Sequence, residues 1–259
     1  MDLKNSTILI TGGTSGIGLE LAKQLTEKGA SIIVTGRNPE TLKTAKEKFP
    51  KIHTFLSDVS DSKYIEQLYK DVIQQFPNLN IIINNAGLMR LIDLQDTTLD
   101  LENINREIAT NLSGTVQMVH QFLPHLRKQK SSAIVNVSSA IAFTSYSSAP
   151  IYSATKAGIH AYTQALRLQL EDTNVQVFEM IPPGVNTNLQ NDWVMQPDPR
   201  MMMDVDKFVN IVIKQLLKDK KELKPFLVGI IQIVSRMIPS TLLKFGHREF
   251  KKFKELNKK

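Results

Sequence analysis

The first thirty-five residues contain the feature that most constrains the fold, namely two apolar runs separated by a glycine turn and a helix. Residues 6–11 form a short β-branched run typical of a buried parallel strand. Glycines follow, and Ile17, Leu21 and Leu25 then recur at helical spacing until Gly29 ends the run. Residues 31–35 read as a second strand. Because a helix joins the two strands, the pattern predicts a parallel pair and an α/β fold.

The alternation of strand and helix continues along the chain. Further strands are predicted at 52–56, 80–83, 133–137 and 175–180, with helical patterns between them. The chain of 259 residues, 42% of them apolar, is long enough for one large domain. We therefore predict a doubly wound parallel sheet of the Rossmann type, arranged as three α/β/α layers, in a single domain over residues 1–259.

The glycine turn has the spacing Gly12-x-x-x-Gly16-x-Gly18. Glycines let the backbone approach a pyrophosphate, and the free N–H groups of the following helix favour an anion. With the strand–helix–strand unit around it, this turn predicts dinucleotide binding. After the second strand, Gly36 offers no carboxylate for a ribose, whereas Arg37 can pair with the extra phosphate of NADP. NADP(H) is therefore favoured over NAD(H), the alternative being that Arg37 is a solvated turn residue.

Polar residues stand where the later strands end. Asp58 could hold an adenine amino group or, equally, cap the helix that begins near Asp61. The segment 84–87, Asn-Asn-Ala-Gly, can hydrogen-bond neighbouring loops while leaving room for a flat ring. Asn111 lies inside a helix predicted from about Leu99 to Phe122. Asparagine is a poor helix-interior residue, so its amide is expected to bond a specific partner or to open a kink.

Tyr152 and Lys156 are four residues apart in a segment that opens a helix, which puts a phenol and an ammonium on one face. A nearby cation favours the phenolate and can bring the tyrosine pKa into a useful range. The spacing alone is common on ordinary helices, where it indicates a half-buried ring beside a solvated amine.

Together these motifs resemble the short-chain dehydrogenase/reductase family, in its shorter branch. Residues 11–18 are similar to that branch's TGxxxGxG turn, residues 84–87 to its NNAG motif, and residues 183–187 to its PGxxT segment. The family's catalytic tetrad is matched by Asn111, Ser139, Tyr152 and Lys156. The resemblance extends from about residue 6 to residue 187, and more loosely to residue 229, near which the family pattern implies a last strand at 226–229.

The resemblance implies reversible hydride transfer between a nicotinamide and a carbonyl or secondary alcohol. Tyr152 would be the general acid in reduction, Lys156 would lower the tyrosine pKa and bond the nicotinamide ribose, and Ser139 would hold the carbonyl oxygen. Asn111 would fix a water that links Lys156 to solvent. The cofactor-binding residues expected from the motifs are Gly12, Thr14, Ser15, Gly16, Ile17, Gly18, Arg37, Asp58, Val59, Asn85, Ala86, Gly87, Tyr152, Lys156, Pro183, Gly184, Val185 and Thr187.

Residues 188–203 are expected to cover a substrate, because Trp193, Met195 and Met201–Met203 suit an adaptable apolar pocket. The alternative is that these side chains only pack between helices. Residues 230–259 form a helical basic extension. It could lie weakly on an anionic membrane surface, although a helix packed on the body or on a second subunit is the favoured interpretation.

Composition narrows the remaining function classes. Residues 244–259 hold seven Lys or Arg and two Glu, so most of the net charge of +7 belongs to this tail, and no nucleic-acid partner is expected. There is no cysteine and no metal-ligand spacing among the five histidines, so no metal is expected. We expect a cytoplasmic enzyme that forms a homodimer or homotetramer. A non-catalytic nucleotide sensor and a membrane-surface protein that acts on an apolar or lipid substrate are the alternatives.

Overall fold

Seven parallel strands form one sheet in the computed structural model, which describes residues 2–190, 193 and 196–256. The strands are β1 (Thr7–Ile10), β2 (Ser31–Gly36), β3 (His53–Leu56), β4 (Leu79–Asn84), β5 (Ser132–Val137), β6 (Val175–Met180) and β7 (Glu222–Leu223). Their order in the sheet is β3-β2-β1-β4-β5-β6-β7. The strand order therefore reverses between β1 and β4, where such sheets bind ligands at their carboxyl ends.

Helices cover both faces of the sheet. They are α1 (Gly16–Glu27), α2 (Pro39–Lys48), α3 (Ser62–Gln75), α4 (Leu101–Glu107), α5 (Gly114–Leu126), α6 (Pro150–Gln169), α7 (Val205–Leu216), α8 (Phe226–Met237) and α9 (Pro239–Leu256). Side chains of α1, α2 and α7 share one buried apolar cluster, and those of α3, α5 and α6 share another. The doubly wound three-layer fold predicted from the sequence is confirmed.

Strand β1 illustrates why the apolar runs are nearly continuous. Ile8 and Ile10 enter the cluster on one face of the sheet, and Leu9 enters the cluster on the other. Ile8 pairs with Ile32 of β2 and with Ile81 of β4, so the strand has neighbours on both edges as well. A strand with both faces and both edges covered needs apolar residues at successive positions.

The predicted last strand at 226–229 is wrong. The strand is the shorter β7, which pairs with β6 through Glu179–Glu222 and Met180–Leu223, and residues 226–229 begin α8. Pro225 precedes the helix, and its fixed φ and missing N–H suit a helix start better than the interior of a sheet. Val228 then packs against Ala140 and Ile181.

Helix α9 packs on the body of the protein, which agrees with the interpretation favoured for the basic C-terminal extension. Phe253 is buried, Ser147 hydrogen-bonds His247 at 3.0 Å, and Lys254 donates to Gln95 at 2.7 Å. Within the described ranges, no individual helix has both the length and the apolar character to cross a bilayer. Only α8 and α9 taken together reach that threshold, and they meet at a bend of 113°.

Candidate functional site

The glycine turn after β1 has backbone conformations that require glycine. Gly12 and Gly16 have φ values of +63° and +51°, in the left-handed region. A Cβ on Gly12 would lie 2.9 Å from the Ala86 Cα, and one on Gly16 would lie 3.2 Å from the Thr187 Cβ. Gly18 does not line the cleft. A Cβ there would lie 2.4 Å from the Gly12 carbonyl oxygen, so Gly18 allows α1 to pack beneath the turn.

Thr11 and Asn85 join this turn to the segment after β4. The Thr11 hydroxyl accepts hydrogen bonds from the backbone N–H groups of Asn85 and Ala86, both at 3.0 Å. The Asn85 amide donates to the carbonyl oxygens of Thr11 and Gly12 at 2.9 and 3.0 Å. The predicted role of amide residues at this strand end, bonding a neighbouring loop, is confirmed.

A cleft of about 1070 Å³ runs along the carboxyl ends of the strands. One end is lined by the turn and by the ends of β2 and β3, including Thr14, Ser15, Ile17, Arg37, Asp58 and Val59. The middle is lined by Ala86, Gly87, Ser139, Tyr152 and Lys156. Pro183, Gly184, Val185 and Thr187 also line the cleft, with Thr187 next to Gly16 of the turn. The far end is lined by residues of the following loop and of α8. One continuous cleft thus includes most of the predicted site residues.

Two hydroxyl groups that the sequence interpretation missed face the first end of this cleft. Thr35 and Ser57 line it, and their buried Oγ1 and Oγ atoms have no hydrogen-bond partner among the described residues. A buried polar atom without a partner is costly. The polar group of a dinucleotide is therefore a fitting partner here. The sequence does contain one sign of these two residues, because each is a polar residue at the end of a largely apolar strand.

Asp58 and Arg37 lie near these hydroxyls. The Asp58 carboxylate accepts from the N–H and the hydroxyl of Ser60 at 2.9 and 2.7 Å. The cap of α3 is Asp61 instead, whose side chain accepts from the Lys63 N–H. Arg37 is exposed at the rim of the cleft, where a guanidinium can meet an anionic ligand while remaining hydrated.

Three of the four tetrad side chains meet in the middle of the cleft. Ser139 begins a 3₁₀ turn (Ala140–Ala142) just after β5, and its side chain accepts from the Ile141 N–H at 3.3 Å. The Ser139 hydroxyl is close enough to the Tyr152 phenol on α6 to lower its pKa. The Lys156 ammonium lies 5.5 Å from the centre of the Tyr152 ring. It also donates to the Val137 carbonyl oxygen at 2.8 Å. The carboxyl end of β5 and the first turns of α6 therefore hold these groups together.

Burial dominates the titration of this pair. It raises the pKa of Tyr152 to about 12, against a hydrogen bond from Ser139 that acts in the opposite direction. It lowers the pKa of Lys156 to about 8, because the charged ammonium is removed from water. The predicted lowering of the Tyr152 pKa by Lys156 is therefore wrong for the protein alone. The phenol is protonated at neutral pH, as a proton donor must be.

Asn111, the fourth residue of the tetrad, lies behind the other three and does not line the cleft. It lies in a π-helical segment (Ile108–Ser113) between α4 and α5. Its amide accepts from the Leu88 N–H and donates to the Leu88 carbonyl oxygen, both at 2.8 Å, and donates to the Thr155 hydroxyl at 3.1 Å. The expectation of a specific partner is confirmed. A shifted helical hydrogen-bond pattern of this kind is frequent at functional sites.

The far end of the cleft is apolar. Trp193 packs in a cluster with Met89 and Tyr152, and its indole N–H donates to the Met89 carbonyl oxygen at 3.2 Å. Met201 and Met202 also line the cleft, and Met201 is exposed. These contacts favour the pocket interpretation for Trp193, Met201 and Met202, whereas Met203 does not line the cleft and packs against the core cluster that includes α1 and α7. Met195 lies outside the described residues.

Comparison with known proteins finds a matching family model and similar proteins that are named oxidoreductases. Residues 6–198 match the family model described as short chain dehydrogenase. A Bacillus subtilis (strain 168) protein named "Uncharacterized oxidoreductase DltE" is 46% identical over 189 residues, which cover 73% of this chain and 75% of the relative. A Staphylococcus aureus (strain MW2) protein, "Uncharacterized oxidoreductase MW2403", is 32% identical over 83% of this chain and 92% of its own.

Solved structures share the fold at lower identity. A short chain dehydrogenase from Burkholderia cenocepacia J2315 in complex with NADP is 24% identical, with a TM-score of 0.77 over 96% of this chain and 98% of its own. A short chain dehydrogenase/reductase from Burkholderia phymatum in complex with NAD is 18% identical, with a TM-score of 0.79 over 93% of this chain and 97% of its own.

Proposed function

Because this chain belongs to the short-chain dehydrogenase family and is an oxidoreductase of that family, we propose that it transfers hydride reversibly between NADP(H) and a carbonyl compound or secondary alcohol. The observation that carries this proposal is that Ser139, Tyr152 and Lys156 line the same cleft as the glycine turn, with the Lys156 ammonium 5.5 Å from the centre of the Tyr152 ring. The whole chain acts as one domain, in which residues 188–203 cover the substrate and residues 230–259 form an extension.

The cleft fits a dinucleotide. Gly12 and Gly16 line the cleft at the start of α1, where a backbone without side chains lets a phosphate approach the free N–H groups of the helix. The buried hydroxyls of Thr35 and Ser57 line the same cleft and have no hydrogen-bond partner among the described residues. The segment Pro183–Gly184–Val185 and the Thr187 side chain would hold the carboxamide end. When bound, the nicotinamide supplies or accepts the hydride.

The side chains of this protein handle the proton and the oxygen. The Tyr152 hydroxyl, kept neutral by burial, donates its proton to the substrate oxygen in reduction. Ser139 holds that oxygen and stabilises the charge that develops on it. Lys156 holds a positive charge beside the ring and would bond the ribose of the nicotinamide nucleotide. Asn111 fixes the Leu88 loop next to Lys156, and the ordered water between them stays a prediction.

The preference for NADP(H) depends on Arg37, and binding measurements test it. Position 36 is glycine, so no carboxylate there repels a 2′-phosphate. Arg37→Ala should weaken NADPH binding by about 10- to 100-fold, the value of one charge-assisted pair, and leave NADH binding nearly unchanged. Fluorescence titration of both nucleotides measures this.

Lys43→Ala is the matched control, because Lys43 is an exposed cation on α2 that does not line the cleft. Equal binding of NADH and NADPH by the unaltered protein, with no effect of Arg37→Ala, would reduce Arg37 to a turn residue and remove the NADP preference.

The assembly and location are also proposals. Homodimers or homotetramers would form through the helices that hold Asn111 and Tyr152, where Leu101, Ile108 and Leu168 are exposed apolar side chains. A monomeric mass in light scattering at assay concentration would contradict this. Location in the cytoplasm stays a prediction.

A membrane-surface reductase for an apolar or lipid substrate is the second candidate, and helix α8 favours it. Phe226, Ile230, Ile233 and Met237 form an exposed apolar stripe on that helix, with the Phe226 side chain 86% exposed. Leu227 and Ile231 of the same helix line the cleft, so the stripe adjoins the substrate end. Lys244, Arg248 and Lys251 of α9 are exposed and would favour anionic lipid.

A further inference from the structure

A fully buried carboxylate, that of Glu179, accepts a hydrogen bond from Ser138, the residue before the catalytic Ser139. Glu179 is on β6, between β5 and β7, and its side chain is 0% exposed. A carboxylate in such a place is costly unless it is paired and hydrogen-bonded. Neither the proposed hydride transfer nor the binding of a dinucleotide uses this residue.

Two polar side chains satisfy the Glu179 carboxylate. The Ser138 hydroxyl donates to Oε1 at 2.5 Å, and His160 Nδ1 lies 3.0 and 2.9 Å from the two oxygens. The other imidazole nitrogen of His160 lies 3.1 Å from the Gln164 amide nitrogen. An imidazole with its proton on Nδ1 satisfies both contacts, because it donates to Glu179 and accepts from Gln164.

This network is attached to the catalytic groups through the backbone on both sides. Ser138 immediately precedes Ser139, and its own N–H donates to the Met180 carbonyl oxygen at 2.9 Å. His160 lies one turn beyond Lys156 on α6, and Lys156 donates to the carbonyl of Val137, the residue before Ser138. The end of β5 is thus held between β6 and α6 at two successive residues, Val137 and Ser138.

We propose that Glu179 and His160 are positioning residues for the reaction. By binding the Ser138 hydroxyl and α6 together, the carboxylate fixes the end of β5 against α6. The positions of the Ser139 hydroxyl and the Lys156 ammonium relative to the Tyr152 hydroxyl are therefore fixed for catalysis. Neither residue lines the cleft, so they act only through Ser139 and Lys156.

The test is Glu179→Leu, which keeps a similar volume and removes both hydrogen bonds. We expect kcat to fall by about 10- to 100-fold, because a displacement of about 1 Å at a catalytic group has an effect of that size. The Kd for NADPH should change less than kcat, by no more than about fivefold, because the glycine turn is untouched and only the ribose bond of Lys156 is disturbed. Glu179→Gln can still accept from Ser138 and pair with a neutral imidazole, and should restore most of kcat.

Two further variants separate positioning from general stability. Ser138→Ala leaves the Glu179–His160 pair intact and should still lower kcat, whereas a merely structural carboxylate would leave it unchanged. His160→Asn should lower kcat, because it removes the bond between α6 and Glu179. His125→Asn is the control and should not lower kcat, because His125 is a buried histidine that bonds the Leu79 carbonyl at the start of β4, away from the cleft.

The inference rests on the proposed function, and a crystal structure of Glu179→Leu keeps the two distinguishable. We expect Ser139 to lose its contact with Tyr152 and the Lys156–Val137 bond to lengthen. If the native protein turns over carbonyl compounds and Glu179→Leu does so equally well, the inference fails and the function stands. If no compound is turned over, the function fails, and unmoved Ser139 and Lys156 side chains in the crystal would overturn the inference as well.

Discussion

At the scale of single residues, the site combines a phenol that keeps its proton with an ammonium that loses its proton more readily than an ordinary lysine does. Burial keeps Tyr152 protonated far above neutral pH, with a pKa of about 12, and brings the pKa of Lys156 down to about 8. The two shifts have the same origin, because burial disfavours the charged form of either group. In a pH profile between 6 and 10, Lys156 is therefore the group expected to change its charge.

The pH dependence of reduction follows from this assignment. We expect kcat/KM to be constant from pH 6 to 7 and to fall by about tenfold per unit once the pH passes about 8, because the deprotonated lysine no longer supports the developing charge. Lys156→Arg, which stays charged, should be slower but should lack this decline. A native profile that stays flat to pH 9.5 would contradict the role of Lys156.

Residue identities were the most predictable part of the site, and the contacts between them the least. The residues of the glycine turn and Ser139, Tyr152 and Lys156 stand in short local motifs, so their spacing is visible in the sequence. The pair Ser138–Glu179 joins positions 41 apart. No local pattern encodes it, because it depends on the register between β5 and β6.

At the scale of elements, periodicity predicted the large helices and strands and failed for the short ones. Strand β7 has two residues, too few for any alternation, and the apolar run after Pro225 is compatible with either a strand or a helix. The π-helical segment around Asn111 was also invisible. It changes which N–H bonds which carbonyl while leaving the apolar spacing nearly helical.

Helix α8 provides the prediction at this scale. The protein should sediment with anionic phosphatidylglycerol vesicles and not with neutral phosphatidylcholine vesicles, because its apolar stripe adjoins a basic helix. Ile233→Gln should weaken the binding by about tenfold, and so should Lys244→Glu with Lys251→Glu, whose effect should shrink at high salt. Removal of residues 244–259 should act in the same direction.

Leu56→Gln is the control for Ile233→Gln, because Leu56 is an exposed leucine at the end of β3, on the sheet edge opposite β7 and the helices that follow it. Unchanged sedimentation after these substitutions would exclude the membrane-surface candidate. A change in oligomeric state with Ile233→Gln and no vesicle binding would assign the stripe to a subunit interface instead.

At the scale of the whole molecule, the order of the strands determines where the chemistry occurs. The reversal between β1 and β4 opens the cleft, and the carboxyl ends of β1, β4, β5 and β6 deliver the glycine turn, Asn85, Ser139 and Pro183 to it. The sequence predicted this arrangement because each strand ends in a recognisable motif. It could not predict the substrate, because the apolar end is built from a loop and from α8, whose packing depends on contacts between residues far apart in the sequence.

The measurement that tests the account most directly is NADPH oxidation with a panel of carbonyl compounds by the native protein and by Tyr152→Phe. We expect the native protein to reduce at least one apolar carbonyl compound. Tyr152→Phe should lose about 10²- to 10⁴-fold in kcat, the contribution of a general acid, while binding NADPH with nearly unchanged affinity. Turnover by Tyr152→Phe at the native rate would contradict the central claim that the buried phenol donates the proton.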